Sequence, residues 1–449
     1  MSTASEQLRI SLTARLTEVL GTAVEVSAPE RLTGGASRET WTFRATTATA
    51  GYPLILRRDP PGYDRPESMG VEAAVIAAAA RCGVPVPALL DHDSDPAVLG
   101  APYLISENVP GETIPRRLLR EPEFDQVRPT LAAELGRVLA RVHRIPPEQV
   151  PGLTGPDPLA ALEADHARHA EPLPALELGL RWLRENRPPP AGDVVVHGDF
   201  RNGNLIVGAD GLRAVLDWEL VHRGDPLEDL GWLCVKAWRF ASAAPVGGFG
   251  ERADLLAGYA EEAGWAPDPA AVHWWEVYGT AKWAVGCRDM ARRHLTGTDG
   301  SVELAAIGRR VCEQEHDLLL ALGIPAAPAD AEPPDVPEPA LHGRPTATEL
   351  VAAVAEFLRT DARPALDGRS RFHALVAENV LGTVERELRL GPEQQRRRQD
   401  RLAALGYRDE AELAAAIRAG ADGAEILAAL REGVTDRLLV ANPRYLENP

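Results

Sequence analysis

The sequence predicts an α+β protein built as a small antiparallel β lobe, a large mostly helical lobe and a C-terminal all-α domain. Three observations carry this. Short alternating strands separated by glycine and proline fill roughly the first hundred residues. A stretch from Val194 to Asp229 reads as strand, charged loop and β-hairpin between helical stretches. Beyond residue 345 every periodic segment has helical spacing, with Gly or Asp as separators. A chain of 449 residues also exceeds the usual size of one domain.

In chain order, Leu8, Leu12, Leu16, Val19 and Leu20 mark a short amphipathic helix over 6–20. Gly34 and Gly35 then precede an alternating strand, and Pro53 to Arg58 form a second. Two glycines at a strand turn let backbone amides approach a phosphate with no Cβ in the way, although most such pairs are turns only. Alternation puts Arg57 on the face opposite Leu56 and Arg58, so Arg57 is the inward cation. Val71 to Arg81 is an Ala-rich helix; Glu72 near its start either pairs with Arg57 or answers the helix dipole. Two further strands follow, the second ending at Glu107-Asn108-Val109, the expected hinge. Leu131, Leu135, Val138, Leu139 and Val142 form a helical stripe that His143 closes at the dipole's negative end. His166 and His169 are three apart but lack a third ligand, so an exposed helix face is expected there.

The organising stretch is VVVHGDFRNGNLIVGADGLRAVLDWELVHRGDPLED. Val194 to Val196 deliver a loop carrying His197, Asp199, Arg201, Asn202 and Asn204. The runs 205–207 and 212–216 pair across a Gly-Ala-Asp-Gly turn and end on Asp217. Folding back brings Asp217 near Asn204 and Asp199. Hard oxygens gathered this way suit Mg²⁺ held against a phosphate, and the remaining Asp can accept a proton from a hydroxyl. From 250 to 320 the pattern is helical. His273 to Tyr278, Lys282, Trp283 and Arg288 to Arg293 make it unusually aromatic and basic, read either as a cleft lining or as a core helix with a basic outer face. Residues 322–345, rich in Pro, Ala and acid, form a linker. The domain expectation is therefore 1–107, 108–321, linker, and 346–449 as four to five helices, with Arg369 to Leu390 and the stretch starting at Pro392 read as separate helical segments.

The net charge of −18 argues against nucleic acid or an anionic membrane as main partner. Four scattered cysteines show no C-x-x-C spacing, which speaks against zinc or a disulfide framework. With no leader pattern and no segment of spanning length, a cytoplasmic location is expected.

H-G-D-x-x-x-x-N followed by an apolar strand ending in D-W-E resembles the catalytic segment of the aminoglycoside phosphotransferase and choline kinase group, relatives of the protein kinases. The resemblance covers residues 25 to 320 and implies a bilobal protein-kinase-like fold that uses ATP and Mg²⁺ to phosphorylate a hydroxyl of a small molecule. By it Asp199 is the catalytic base, Asn204 and Asp217 hold metal, and His197 holds the loop rather than acting as base. Arg201 faces the transferring phosphoryl group or forms a rim salt bridge. Gly34, Gly35 and Ser37 of the first turn, with Arg57 oriented by Glu72, bind phosphates; backbone groups of Glu107 and Val109 meet the adenine edge. Asp225 caps the next helix, and Asp229 resembles the buried carboxylate that ties that helix to the loop.

Members of the antibiotic-modifying branch mostly carry Lys where this chain has Arg57. LRRDPPG resembles phosphotransferase domains fused to, or encoded beside, acyl-CoA dehydrogenases; of the two acceptors open within the group, an aminoglycoside-like sugar and a hydroxyacyl-CoA or related metabolite, this stretch and the aromatic helix lean toward the second. The helical tail resembles uncharacterised domains attached to bacterial phosphotransferases and is the expected place for a homodimer or partner contact. The other reading is a non-catalytic nucleotide-binding or scaffold module working through that tail; an intact base and both metal ligands speak against it.

Overall fold

A computed structural model describes residues 3–32, 38–60, 68–328 and 342–447. Gly34, Gly35 and Ser37 lie outside them, as do Pro61 and Gly62 of LRRDPPG and residues 329–341 of the linker stretch. Contacts divide the chain into two compact units. The first comprises Met1–Pro156, Pro190–Cys234 and Ala244–Pro269; the second comprises Asp157–Pro189, Val235–Ala243 and Ala270–Pro449.

The first unit opens with the helix Thr3–Leu20, whose Leu8, Leu12 and Leu16 recur every fourth residue on one face. They pack on an antiparallel sheet made of β1 (Glu25–Val26), β2 (Glu30–Arg31), β3 (Glu39–Thr46), β4 (Gly51–Arg58), β5 (Leu89–Asp93) and β6 (Tyr103–Glu107). The order is β1-β3-β4-β6-β5, with β2 also on β3. β4 is thus central, between β3 and β6, which fixes its register and its twofold alternation. Leu54 and Leu56 bury themselves against the first helix with Phe43, Tyr103 and Ile105. Arg57 points the other way, toward the helix Ser68–Arg81.

The helix Arg128–Val142 buries the whole predicted stripe and crosses the helix Arg252–Ala263 closely. A Cβ on Gly136 would collide with the Leu255 carbonyl, and one on Gly258 with that of Ala133. Two glycines therefore set this crossing, and the lost helix propensity is offset by backbone contact. β7 (Val194–Val196) pairs with β10 (His222–Gly224). Between them β8 (Leu205–Gly208) and β9 (Gly211–Val215) form the hairpin around Ala209-Asp210. The helix Leu227–Cys234 follows, with Asp225 accepting from the Leu227 amide as its cap.

The second unit is helical. Helices 174–185, 311–321, 410–418 and 424–441 share one apolar core that includes Leu178, Leu319, Leu413, Ile417, Leu430 and Leu438. In the helix Pro269–Leu295, Trp274, Trp275 and Tyr278 are buried, the first and last stacked with centroids 5.9 Å apart. Of the two readings of this aromatic helix, the core reading is the one observed for these three rings. His166 and His169 correct the expectation of an exposed helix face. His166 Nε2 lies 3.0 Å from Glu177 and its Nδ1 3.0 Å from Arg288, while His169 pairs with Asp289 at 3.2 Å. Each ring is tied to its own carboxylate, so the two do not share a ligand. The expected separation into two segments at Pro392 also fails: Gly368–Ala404 is one helix of 37 residues. Proline removes one amide bond and crowds the preceding turn, but side chains on both sides of it grip the helix Ala424–Ala441. Arg386 donates to the Val440 carbonyl, and Gln394, Arg397 and Arg401 all donate to Asp436. Tertiary contact thereby overrides the local signal.

Among the described residues no helix is long and apolar enough to cross a membrane, and the four cysteines are free thiols.

Candidate active site

The loop between β7 and β8 is held from below by one buried carboxylate. Asp229, fully buried on the helix Leu227–Cys234, accepts from the amides of His197 (2.8 Å) and Gly198 (2.9 Å) and from His143 Nε2 (3.1 Å). His143 Nδ1 in turn meets the Tyr259 hydroxyl at 2.9 Å. Burial pushes the Asp229 carboxyl up, but the His143 hydrogen bond and the His197 amide outweigh it and hold Asp229 below the usual carboxylate range. Gly198 has φ +81°, and a Cβ there would sit 2.5 Å from the Leu220 carbonyl oxygen, so the turn that lets both amides face one carboxylate requires glycine.

His197 is fully buried, with Nε2 3.0 Å from the Leu216 carbonyl and Nδ1 accepting from the Asp199 amide at 3.2 Å. A carbonyl only accepts and an amide only donates, so the proton belongs on Nε2 and the other lone pair is already used. Burial also lowers its pKa, against the pull of Asp229, Asp199 and Asp217. Such a ring is neutral, fixed and unable to abstract a proton. It positions the loop.

The carboxylate of Asp199 accepts from three donors: Arg201 Nε and Trp232 Nε1, both 2.9 Å from Oδ1, and Asn204 Nδ2, 2.6 Å from Oδ2. Asn204 Nδ2 also donates to the Asp199 carbonyl at 3.0 Å. Because both partners are acceptors, Asn204 turns its amide nitrogen to Asp199 and its Oδ1 away from it. The Leu216 amide donates to the Asn204 carbonyl at 2.8 Å, which sets Asp217 beside Asn204. Asp217 takes the left-handed conformation, φ +65°, at a cost of about 1–2 kcal/mol for a residue with a Cβ. Its Oδ1 meets Arg57 Nη2 at 2.7 Å. Burial raises the Asp217 carboxyl, but the charge and hydrogen bond of Arg57, with the charge of Arg201, hold it low and ionised. An amide oxygen and an ionised carboxylate are a donor set that fits Mg²⁺, which takes one or two protein ligands and keeps waters and phosphate oxygens. Among the described residues no group of three His, Cys, Asp or Glu side chains could hold a metal.

Arg57 bridges Asp217 and Glu72. Glu72 is fully buried and shared: its other oxygen pairs with Arg38. Arg38 also donates to Asp59 at 3.0 Å and to Ser68 Oγ at 3.1 Å. The result is an unbroken line of alternating charge, Asp59, Arg38, Glu72, Arg57 and Asp217, across the sheet and helix to the hairpin. Arg58 turns to the opposite face and pairs with Glu39 at 2.7 Å. Near the hinge, Glu107 is exposed and Val109 half-buried. The Glu107 amide donates to the Ala88 carbonyl, and paired amides of Glu112 and Val207 tie the hinge segment to the hairpin.

The structure thus brings Asp199, Arg201 and Asn204 into direct contact and joins Arg57, Glu72 and Asp217 in a chain. Three residues of the site escaped the sequence reading. Arg38 sits at the edge of the glycine-rich turn. His143 was assigned to the dipole alone. Trp232 lies three residues beyond Asp229, hence on the same helix face, and that spacing is the signal that could have found it.

A family model described as "Phosphotransferase enzyme family" matches residues 29–274, more than half of the chain, and residues 364–445 match a domain of unknown function, DUF6285. Acyl-CoA dehydrogenase family member 10 of Mus musculus is 29% identical over 217 residues, which are 43% of this chain and 19% of that protein. Acyl-CoA dehydrogenase family member 11 of Gallus gallus is 31% identical over 200 residues, 40% of this chain and 25% of that protein. The chain spans a quarter or less of the length of these relatives. Among solved structures, a Ralstonia eutropha protein described as an aminoglycoside phosphotransferase superposes with a TM-score of 0.54 at 22% identity, covering 70% of this chain and 98% of that one. That likeness is one of fold, and it is the kinase-like α+β fold. With the family match running from ahead of Arg38 and Arg57 through the loop of Asp199 and beyond, the chain belongs to the phosphotransferase enzyme family.

Proposed function

We propose that the protein transfers the γ-phosphoryl group of ATP, in the presence of Mg²⁺, to a hydroxyl of a small molecule in the cytoplasm. Asp199 accepts the hydroxyl proton as the acceptor oxygen bonds to phosphorus, and ADP leaves. The observation that supports this most directly is the Asp199 carboxylate held by Asn204, Arg201 and Trp232, one hairpin away from an Asp217 already paired to a cation. Arg57 steadies the nucleotide phosphates with Glu72 behind it, helped by amides of Gly34, Gly35 and Ser37. Backbone groups of Glu107 and Val109 take the adenine edge. Arg201, anchored to Asp199 through Nε, places its guanidinium charge beside the transferring group. When bound through Asn204 and Asp217, Mg²⁺ supplies charge neutralisation at the phosphate oxygens. The acceptor we propose is a hydroxyacyl-CoA or a related metabolite; LRRDPPG and the similarity to proteins named acyl-CoA dehydrogenase family members favour it over an aminoglycoside-like sugar.

The test is ADP formation from Mg·ATP with a panel of hydroxyacyl-CoAs and aminoglycosides, with the product identified by the gain of one phosphoryl mass. Asp199→Ala is expected to bind ATP normally and to form no phosphorylated product. Failure of the wild type to bind Mg·ATP, or turnover undiminished in Asp199→Ala, overturns the proposal.

A further inference from the structure

We infer that Trp232 is a positioning residue for Asp199 and decides which carboxylate oxygen accepts the proton. This rests on Asp199 being the base. Among the described residues Oδ1 receives two N–H donors, from Trp232 Nε1 and Arg201 Nε, each at 2.9 Å, whereas Oδ2 receives the Asn204 amide at 2.6 Å. Two donors occupy the in-plane lone pairs of Oδ1, so the lone pair left on Oδ2 is the one a hydroxyl can reach. A carboxylate turns easily about its terminal torsion; three donors from three directions stop that turning.

The indole suits this role better than either neighbour. It is a donor only, so it cannot exchange a proton with the base. It is 5% exposed on a short helix whose other end carries Asp229, which is fully buried and holds the amides of His197 and Gly198. One rigid helix therefore fixes both the backbone of the loop and the side chain that works on it. Arg201 sits on a flexible stem and has a second use at the phosphoryl group. If it swings there, Trp232 remains as the fixed donor on Oδ1.

Trp232→Phe keeps most of the ring and removes the N–H. The assay is hydrolysis of Mg·ATP with water standing in for the acceptor. The expected result is a kcat lower by about tenfold to a hundredfold, the range a small misplacement of a catalytic group produces, with the KM for ATP and the melting temperature unchanged. In an Asp199→Asn background the same substitution should cost nothing further, because the two residues act as one unit. Trp232→His, which returns a ring N–H on a smaller ring, should recover part of the loss. Independently of turnover, the indole ¹⁵N–H resonance that disappears in Trp232→Phe should move in Asp199→Asn. A Trp232→Phe enzyme with full kcat, an equal loss in both backgrounds, or an indole resonance indifferent to Asp199→Asn overturns the inference. The two assignments fail separately. Undiminished turnover in Asp199→Asn removes the base, whereas an inactive Asp199→Asn beside an unimpaired Trp232→Phe removes only the role of Trp232.

Discussion

Replacing Asp229 by Asn tests how the loop is held. In the native protein one fully buried carboxylate satisfies three donors at 2.8, 2.9 and 3.1 Å. Asn offers a single oxygen, and its NH₂ must face a backbone amide that also donates. Each hydrogen bond to an ionised acceptor contributes about 1.5–3 kcal/mol, and a stranded buried donor costs about 1–3 kcal/mol. Deleting one partner of such a buried charged cluster is expected to cost about 3–5 kcal/mol in total, a large part of the 5–15 kcal/mol that typically separates native from unfolded chains. Urea unfolding at neutral pH reads this as a lower midpoint at unchanged slope. The pH dependence adds a signature. Asp229 has a pKa below its ordinary 3.8 in the folded protein, so its stabilisation is present above that value and lost as pH falls through the folded one. The wild type should therefore converge on Asp229→Asn in acid and separate from it above about pH 4. A midpoint within about 0.5 kcal/mol of wild type, or a gap that does not close in acid, would refute this account of the loop.

Three other substitutions probe different links. Gly198→Ala places a Cβ 2.5 Å from the Leu220 oxygen at φ +81°; the strain should lower stability by more than about 1–2 kcal/mol, and a melting temperature equal to wild type would count against the close approach. Glu72→Gln leaves Arg38 and Arg57 without the carboxylate they share, so stability should fall by about 3–5 kcal/mol and, under the proposed function, the KM for ATP should rise more than kcat falls. An unchanged KM would separate Glu72 from nucleotide binding. Asp317 is buried against the Tyr445 hydroxyl at 2.6 Å, and burial pushes its pKa up to about 6, more than Lys236 and Tyr445 pull it down. A raised folded pKa means stabilisation present below 3.8 and lost as pH rises through about 6. Asp317→Asn, which can still accept from Tyr445, should thus gain about 2–3 kcal/mol on the wild type as pH rises from about 4 to about 7. Parallel stability curves across that range would show that Asp317 does not titrate there.

Much of this molecule is readable from neighbours a few residues apart. The β8–β9 hairpin follows from alternation around a two-residue turn, the stripe from Leu131 to Val142 from helical spacing, and the face of Arg57 from the twofold repeat of a central strand. In each case backbone geometry converts spacing directly into direction. The straight run through Pro392 and the separate partners of His166 and His169 went against local pattern because contacts elsewhere on the chain supplied more free energy than the local preference removed.

By itself, then, the sequence determined the order and type of the elements, the identity of the loop that bears Asp199, and the presence of acid, amide and cation in a pattern fit for phosphoryl chemistry. The tertiary structure alone decided which groups hold that acid. Trp232 reaches Asp199 from 33 residues away, Arg38 reaches Glu72 from 34, and His143 reaches Asp229 from 86. Such pairings carry no periodicity, because they depend on where packed helices and strands come to rest in space rather than on the repeat of any one of them.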